Sequence, residues 1–419
     1  MINSITKLEL KKIISNKAVK VGLCLVVVYI IFALIGSIYV ASYYRVNESL
    51  NTVERLKGMK AISQKKEDVE KIKGYLDEKF IKEIIINYNK LKNNKDNLTT
   101  KGELKSIVYD KYWLPYSDIQ SLLSISYVPL NTIDQNIIDK LTPDSSKKFY
   151  SNRIEQINDS LKLNYKQVRF DESYIAAITK EAKNLTEPMY YNYADGWLKL
   201  MDNLPFLNIL ISLILCFSVC RTFTEDIQNG MILIVIPTIY GKTKLALSKI
   251  KASIIFASIT YLGLNFLFAA LLLSFYGTSG WNCPIQIDTK YWLSIYNVEM
   301  YQVYLLSIIA GLIACLFMVM LTLLLANILK KAVLTISAVG IFLLAPLLIN
   351  TNNLPNILNN LAGLLPIKAV DYMEILRTPY MYNIFGMKIL RSYITPIGLL
   401  IIGIVIIPFV VKVYNKQEV

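Results

Sequence analysis

Six uncharged apolar runs divide the chain, and charged segments separate them. The runs cover about 21–44, 203–220, 252–276, 303–329, 332–349 and 393–411. A helix needs about 20 apolar residues to cross the hydrocarbon core of a bilayer. The pattern therefore predicts an all-α polytopic membrane protein with six transmembrane helices.

Residues 45–202 form a polar region between the first and second predicted spans. From Val53 to Leu91, apolar residues recur every three or four positions, which predicts one long helix that could continue the first span. Further helices are predicted over Asn131–Asp139 and Lys147–Leu163, and another begins at Asp171, a suitable cap. We expect a mostly helical domain.

Residues 1–20 combine apolar and basic side chains at helical spacing. One face carries Ile5, Leu8, Ile13 and Ile14, and the remainder carries Lys7, Lys11, Lys12 and Lys17. This pattern is typical of an amphipathic helix lying on a membrane surface rich in anionic lipid. The alternative is a positive flank that only orients the first span.

Composition and charge support a membrane location and set its orientation. Hydrophobic residues make up 54% of the chain, and the mean hydropathy is +0.41. With both termini inside, the cytoplasmic segments carry 14 Lys and Arg against 4 Asp and Glu, and the short outer loops carry 5 against 4. This bias follows the positive-inside rule. It accounts for the net charge of +14, and we expect no nucleic-acid partner.

Two segments remain outside in this topology. The 45–202 domain is extracytoplasmic, because long translocated domains escape the positive-inside rule. The 350–392 segment is extracytoplasmic as well, and it contains the apolar stretch Leu354–Pro366. That stretch is too short to cross a membrane, so an interfacial or re-entrant segment is predicted.

Catalytic and metal-binding patterns are absent from the sequence. The chain has no His and only five scattered Cys, so we predict no metal site, no catalytic residue and no cofactor in this chain. Gly241-Lys242-Thr243 is similar to the end of a phosphate-binding loop, but Ile236 stands where that loop needs its first glycine. We therefore expect no nucleotide binding by this chain, and no enzyme activity.

Aromatic residues cluster beside the predicted spans. The candidates are Tyr190, Tyr191 and Trp197 before the second span and Trp281 after the third. Aromatic rings favour the membrane interface, so an anchoring belt explains them. A substrate-contacting surface is the alternative.

The loop from Arg221 to Lys251 has basic residues at both ends and an apolar centre, Met231–Tyr240. A solvated connector would be polar throughout. Charged ends and an apolar centre predict a short helix that lies on the membrane surface or docks into a partner protein.

The order of parts resembles the permeases of type 2 ABC transporters. In that family an aromatic–x–Glu step is followed by a glycine, a proline and a basic cluster. The matching residues here are Phe223, Glu225, Gly230, Pro237, Lys242 and Lys244, with Lys249 following. Residues 280–286 (GWNCPIQ) and 194–197 (ADGW) are also similar to segments of this family. The chain departs from the family pattern after the proline, where Tyr240-Gly241-Lys242 stands in place of Ser-Arg.

The resemblance implies partners and roles. Two permease chains, as a homodimer or paralogous heterodimer, would bind two ATPase subunits, and those subunits would hold ATP and Mg²⁺. The segment after Gly230 would be a coupling helix, with Met231, Ile232, Ile234 and Ile236 in a cleft of the ATPase. Glu225 would hold the loop against the N-terminal helix through Lys11 or Lys12.

Three functions follow as hypotheses. The first is an exporter subunit in a bacterial cytoplasmic membrane, moving an amphipathic peptide or a lipid-like molecule. The second is a machine that uses ATP hydrolysis to move the extracytoplasmic domain without translocating cargo. The third is a sensor or scaffold with no ATPase.

Overall fold

The computed structural model describes residues 4–47, 52–130, 132, 134, 136–164, 170–238, 240–348 and 356–417. A bundle of long helices carries a mostly helical domain at one end. The helices of the bundle and its N-terminal approach are α1 (Ser4–Ser15), α2 (Lys17–Val40), α8 (Asp195–Gln228), α9 (Met231–Val235), α10 (Thr243–Tyr276), α11 (Met300–Leu329), α12 (Ala332–Leu344) and α16 (Arg391–Asn415).

Five of these helices are long and apolar enough to cross a membrane, counted over the described residues: α2, α8, α10, α11 and α16. They indicate a multi-pass membrane protein. The centre of the bundle is α11, which packs on α8, α10, α12 and α16. The side chains of α2 and α16 are mostly exposed, so these two helices lie at the periphery.

The predicted fifth span, 332–349, is shorter than the others in the structure. Helix α12 has 13 residues and continues into a 3₁₀ turn, Ala345–Leu348. At about 1.5 Å per α-helical and 2.0 Å per 3₁₀ residue, this is about 28 Å, slightly less than the hydrocarbon core of about 30 Å. Residues 349–355, which include the end of this predicted span and the start of the predicted re-entrant stretch, lie outside the described part.

The insert domain, residues 42–193, begins with a hairpin rather than the predicted long helix. Strand β1 (Ser42–Asn47) pairs antiparallel with β2 (Thr52–Lys57), with Tyr43 opposite Leu56. Gly58 then adopts φ +59°, a left-handed conformation that glycine tolerates, before α3 begins. The prediction of one helix over Val53–Leu91, continuous with the first span, is therefore wrong.

A second break divides the same stretch. Helix α3 (Met59–Ile72) ends before strand β3 (Gly74–Tyr75), and α4 covers Glu78–Asn93. The Asp77 carboxylate caps α4 by accepting a hydrogen bond from the Phe80 N–H at 2.7 Å. A capping residue fixes where a helix starts, so Asp77 marks the start of α4. The apolar periodicity alone predicts no break at this position.

The remaining insert helices are α5 (Ser117–Tyr127), α6 (Phe149–Asn164) and α7 (Glu172–Lys183). The helix predicted over 147–163 and the cap at Asp171 are confirmed, since Asp171 accepts a hydrogen bond from the Tyr174 N–H at 2.7 Å. The predicted 131–139 helix is only a 3₁₀ turn, Ile137–Lys140, in its described part. Strand β4 (Tyr190–Tyr191) pairs with β3 and leads into α8.

A compact segment before α16 completes the domain end of the bundle. It comprises α13 (Asn356–Gly363), α14 (Pro366–Val370), α15 (Tyr372–Arg377) and the hairpin β5 (Met381–Ile384) and β6 (Met387–Leu390). The Tyr174 hydroxyl of the insert domain accepts a hydrogen bond from the Met381 N–H at 2.8 Å. The segment thus packs against the insert domain.

Candidate functional site at the 221–251 loop

Two 34-residue helices, α8 and α10, are joined by the candidate loop. Gly230 ends α8 with φ +67° and ψ 4°, the left-handed conformation that commonly terminates a helix. The short helix α9 follows at once, as the apolar centre of the loop predicts. We call the end of the bundle that carries this loop the loop end, and the opposite end the domain end.

The short helix has one exposed and one buried face. Met231 is 48% exposed and Ile234 is 76% exposed, whereas Ile232 and Ile236 are buried in the chain's own core. Two exposed apolar side chains on one turn form a small contact surface. Ile232 and Ile236, predicted to enter a partner, instead fix α9 to the bundle.

Gly241 belongs to a tight turn. A Cβ atom on this residue would lie 1.7 Å from the Val235 carbonyl oxygen, so only glycine fits. Pro237 and Lys242 are exposed on either side. The Lys244 ammonium stands 3.9 Å from the centroid of the Tyr240 ring, a cation–π distance. Gly241 therefore serves the turn, in keeping with the rejection of the phosphate-loop interpretation.

Four charged residues, Glu9, Lys12, Asp226 and Lys249, form an ionic cluster directly above the loop. The Lys249 Nζ lies 2.7 Å from Asp226 Oδ2 and 2.9 Å from Glu9 Oε2. It also donates to the Thr222 carbonyl oxygen at 2.9 Å. The Lys12 Nζ lies 2.7 Å from Asp226 Oδ1. The cluster therefore joins α1, α8 and α10, the three elements that meet at the loop.

The electrostatics of the cluster are balanced. Two cations face two anions, and the Lys249 side chain is fully buried. Burial lowers the pKa of Lys12, but its hydrogen bond to Asp226 and that carboxylate's charge outweigh burial, so the pKa is raised. A buried charge without its partner costs several kcal/mol, so the four groups depend on one another.

The predicted contact between the loop and the N-terminal helix differs in detail. Lys12 does reach α8, but the carboxylate that it binds belongs to Asp226 rather than Glu225. Lys11 is exposed, and Glu225 is half-buried beside Lys12. Helix α1 thus packs on α10 and α8 through its Glu9 and Lys12 side.

Glu9 and Asp226 were not predicted as site residues, and Lys249 was predicted only as part of the basic cluster. A signal for Lys249 exists, because Ala246, Ser253 and Phe256 lie three, four and seven positions away and are all buried. Lys249 therefore lies on the buried face of α10. Lys251, two positions later, is exposed.

Phe223 connects the cluster to the last helix. Its buried ring lies 5.3 Å from the ring of Tyr414 on α16, measured between centroids. The Lys249 Nζ stands 5.8 Å from the Phe223 ring centroid. The aromatic pair thus shields the cluster on the side of α16.

The four candidate aromatics lie at the domain end, and three pack against the chain itself. Trp197 is buried and donates from Nε1 to the Thr278 carbonyl oxygen at 3.1 Å. Tyr191 is buried, and the Tyr190 ring packs on Tyr75. Trp281 is exposed over half its surface. Of these four, Trp281 alone has a largely exposed ring for a lipid or a ligand.

Polar contacts also join the insert domain to the bundle. The Arg153 guanidinium is fully buried and donates to three backbone carbonyls, those of Ala182, Trp292 and Ser294. The Lys65 Nζ lies 2.9 Å from the carboxylate of Asp195, the first residue of α8. A displacement of α8 would therefore act directly on the base of the insert domain.

Comparison of the chain with protein-family models and with curated proteins finds no match. The geometry of the loop therefore carries the functional proposal. In the described part of the chain, five long apolar helices indicate a multi-pass helical membrane protein. The loop end presents an exposed apolar turn beside the buried ionic cluster.

Proposed function

We propose that the chain is the membrane-spanning permease subunit of a type 2 ABC exporter. Two such chains, identical or paralogous, would bind two cytoplasmic ATPase subunits in a bacterial cell membrane. ATP and Mg²⁺ are held by the ATPase subunits. The cargo is an amphipathic peptide or a lipid-like molecule.

One observation carries the proposal: the exposed ridge of α9. Exposed apolar residues adjacent to each other mark contact surfaces when they serve no packing role in the chain itself. Met231 and Ile234 form such a ridge on a turn that Ile232 and Ile236 fix to the core. A ridge fixed from behind can receive force from a partner without collapsing.

The bundle supplies a route for that force. Helices α8 and α10 leave the loop in opposite chain directions, and the ionic cluster joins both to α1. At its other end α8 begins with Asp195, which Lys65 of the insert domain binds. Rigid elements that move together are a recognised means of transmitting switching transitions. Displacement of α9 would thus reach the domain end through α8.

The loop can be tested with two methionines in the same local setting. Met231 begins α9 after Gly230, and Met59 begins α3 after Gly58; both glycines have positive φ. Their exposed fractions are 48% and 42%. Met231→Asp and Ile234→Asp place a charge on the ridge, and Met59→Asp places one on the insert domain.

Each variant is co-expressed with the ATPase encoded beside this chain and purified by a tag on the permease. We expect Met231→Asp and Ile234→Asp to lose most of the bound ATPase and of the cargo transport. Met59→Asp should retain the bound ATPase. Normal ATPase recovery with both ridge variants would overturn the proposal, and so would equal loss with Met59→Asp.

A second candidate function is mechanical work by the insert domain without cargo translocation. The observation favouring it is the direct link between Lys65 and the first residue of α8. Reconstituted vesicles decide between the two. ATP-dependent movement of an amphipathic peptide across the membrane supports the exporter, whereas ATP-dependent protease protection of the insert domain without peptide movement supports mechanical work.

A further inference from the structure

An open groove of about 530 Å³ runs between α10 and α16 at the loop end. Its floor is formed by four apolar side chains, those of Leu247, Ile407, Pro408 and Val411. Lys412, Asn415 and Lys416 line the same groove on the side of the chain's end. We call this the α10–α16 groove.

The lining of the groove changes from apolar to basic along α16. Pro408, Lys412 and Lys416 are four residues apart, so they lie on one face of the helix. At 1.5 Å per residue, Pro408 lies about one turn, roughly 6 Å, deeper in the bundle than Lys412, and Ile407 lies one residue further. An elongated ligand with an apolar tail and an anionic head fits this order.

The positive charge that lines the groove is unpaired within the described residues. In the described part of the chain, neither Lys412 nor Lys416 forms an ion pair, and both are exposed. Leu247 is flanked on its own helix face by Lys244 and Lys251, three positions before and four after it, and both are exposed.

The backbone of α10 adds to this field. Asn415 Nδ2 donates to Thr243 Oγ1 at 2.9 Å, which holds the end of α16 beside the first residue of α10. A helix N-terminus carries a partial positive charge. Two lysines thus line the groove, and two further lysines and the N-terminus of α10 lie near its apolar floor.

On α16 the groove continues toward the bundle centre as an apolar face. Helix α16 exposes Ile401, Ile404 and Val405 to at least half of their surface, and Phe409 likewise. A membrane-spanning helix presents such a face to acyl chains. The groove therefore opens at the level where acyl chains meet headgroups.

We propose that the α10–α16 groove is a binding site for an anionic phospholipid. One acyl chain lies along Leu247, Ile407 and Pro408, and Lys412 and Lys416 bind the phosphate of the headgroup. The assignment depends on the membrane location alone and is independent of any ATPase partner.

The test uses the full-length chain purified in detergent and native mass spectrometry. Phosphatidylglycerol, phosphatidylethanolamine and phosphatidylcholine of the same acyl chains are added separately, and retained lipid is counted. Phosphatidylglycerol should be retained preferentially, and salt should weaken its retention because the contact is ionic.

Two variants probe the two halves of the site. Lys412→Ala with Lys416→Ala should weaken phosphatidylglycerol binding about thirty-fold, since each lysine near an anionic headgroup contributes about a factor of five. Leu247→Trp fills the floor and leaves every charge in place, so a similar loss is expected from crowding alone.

A matched control uses Lys17 and Lys20, two exposed lysines at the start of α2 that do not line the groove. Lys17→Ala with Lys20→Ala removes the same charge as the groove variant, but from residues outside the groove. We therefore expect this control to bind phosphatidylglycerol within about two-fold of the unaltered chain. Equal loss in this control, or unchanged binding in both groove variants, would overturn the proposal. A change in oligomeric state with Leu247→Trp, without loss of lipid, would assign the groove to a second protein chain instead.

Discussion

The loop end and the domain end of the bundle hold their helices together by different interactions. At the loop end four charges pair across three distant segments of the chain. At the domain end Arg153 donates to neutral carbonyls that belong to fixed backbone. The first arrangement depends on charge, and the second depends on hydrogen-bond direction.

This difference has a mechanical meaning. Attraction between charges falls gradually with distance, so Lys12, Lys249 and their carboxylates tolerate a change in spacing. Hydrogen bonds weaken steeply when their angles change, so the Arg153 contacts allow little displacement. The loop end is suited to helices that shift against one another, and the domain end is suited to a fixed attachment.

The largest expected effect is loss of Lys249. Lys249→Met removes the ion pair between Glu9 and Lys249 and one of the two ion pairs of Asp226, so we expect destabilisation of about 3–5 kcal/mol. Thermal unfolding of the purified chain in detergent measures it. Lys251→Met, on the exposed face of the same helix, should change the melting temperature little. Comparable losses in both variants would remove the distinction between a buried cluster and surface charge.

Replacing Arg153 tests the domain end. Arg153→Met removes a donor from three buried carbonyls, of which that of Ser294 keeps a hydrogen bond from Gln286, with an expected cost of about 2–4 kcal/mol. Amide exchange in residues 285–296 should rise selectively, because two of the three carbonyls lie there. Lys147→Met, an exposed change two residues before the helix that carries Arg153, is the control. Faster exchange at the loop end instead of at 285–296 would contradict a local attachment.

Acidic pH should act on the domain end. Burial raises the pKa of Asp371 to about 6. The negative charge of Glu374 also raises this pKa, whereas the positive charges of Lys368 and Arg377 lower it. The folded state therefore binds this proton more tightly than the unfolded chain does, so stability is gained as pH falls through about 6 and lost as it rises.

Between pH 7 and pH 5 this group contributes about 1 kcal/mol of stabilisation. Asp371→Asn keeps an acceptor for the cap of α15 and removes the titration, so the unfolding midpoint of this variant should gain less on acidification than that of the unaltered chain. Parallel pH curves for the two proteins would show that Asp371 titrates near its ordinary value.

The smallest effect is expected at Lys65. Its partners Asp195 and Asp118 are partly exposed, so Lys65→Met should cost about 1 kcal/mol or less and be masked by salt. Lys60→Met, on the exposed start of the same helix, is the matched control. A loss as large as that of Lys249→Met would mean that charge dominates both ends.

The sequence was sufficient for the long helices because an uncharged apolar run of this length has few alternatives. The helix predicted over 53–91 was wrong, because the apolar spacing favours one continuous helix although Gly58, Gly74 and the Asp77 cap interrupt it. Strand β2 forms because β1 pairs with it, and pairing partners are not visible in the spacing of one segment.

The apolar centre of the loop predicts a short helix, and α9 lies there. The ionic cluster was only partly foreseen, because Lys12 and Asp226 are 214 positions apart and Glu9 and Lys249 are 240 apart. Single-chain periodicity tells which face of α10 is buried. It does not tell which distant carboxylate a buried lysine meets.

The length of α8 and α10 has a consequence of its own. A helix of 34 residues is about 51 Å long, well beyond the hydrocarbon core of about 30 Å. Each helix is thus a rod whose ends project into water, and in α8 the one internal proline, Pro205, lies close to the domain end. A tilt of about 5° about that end would carry the far tip of the rod through about 4 Å. A small rotation of α8 at the base of the insert domain would therefore accompany a displacement of several ångströms at α9.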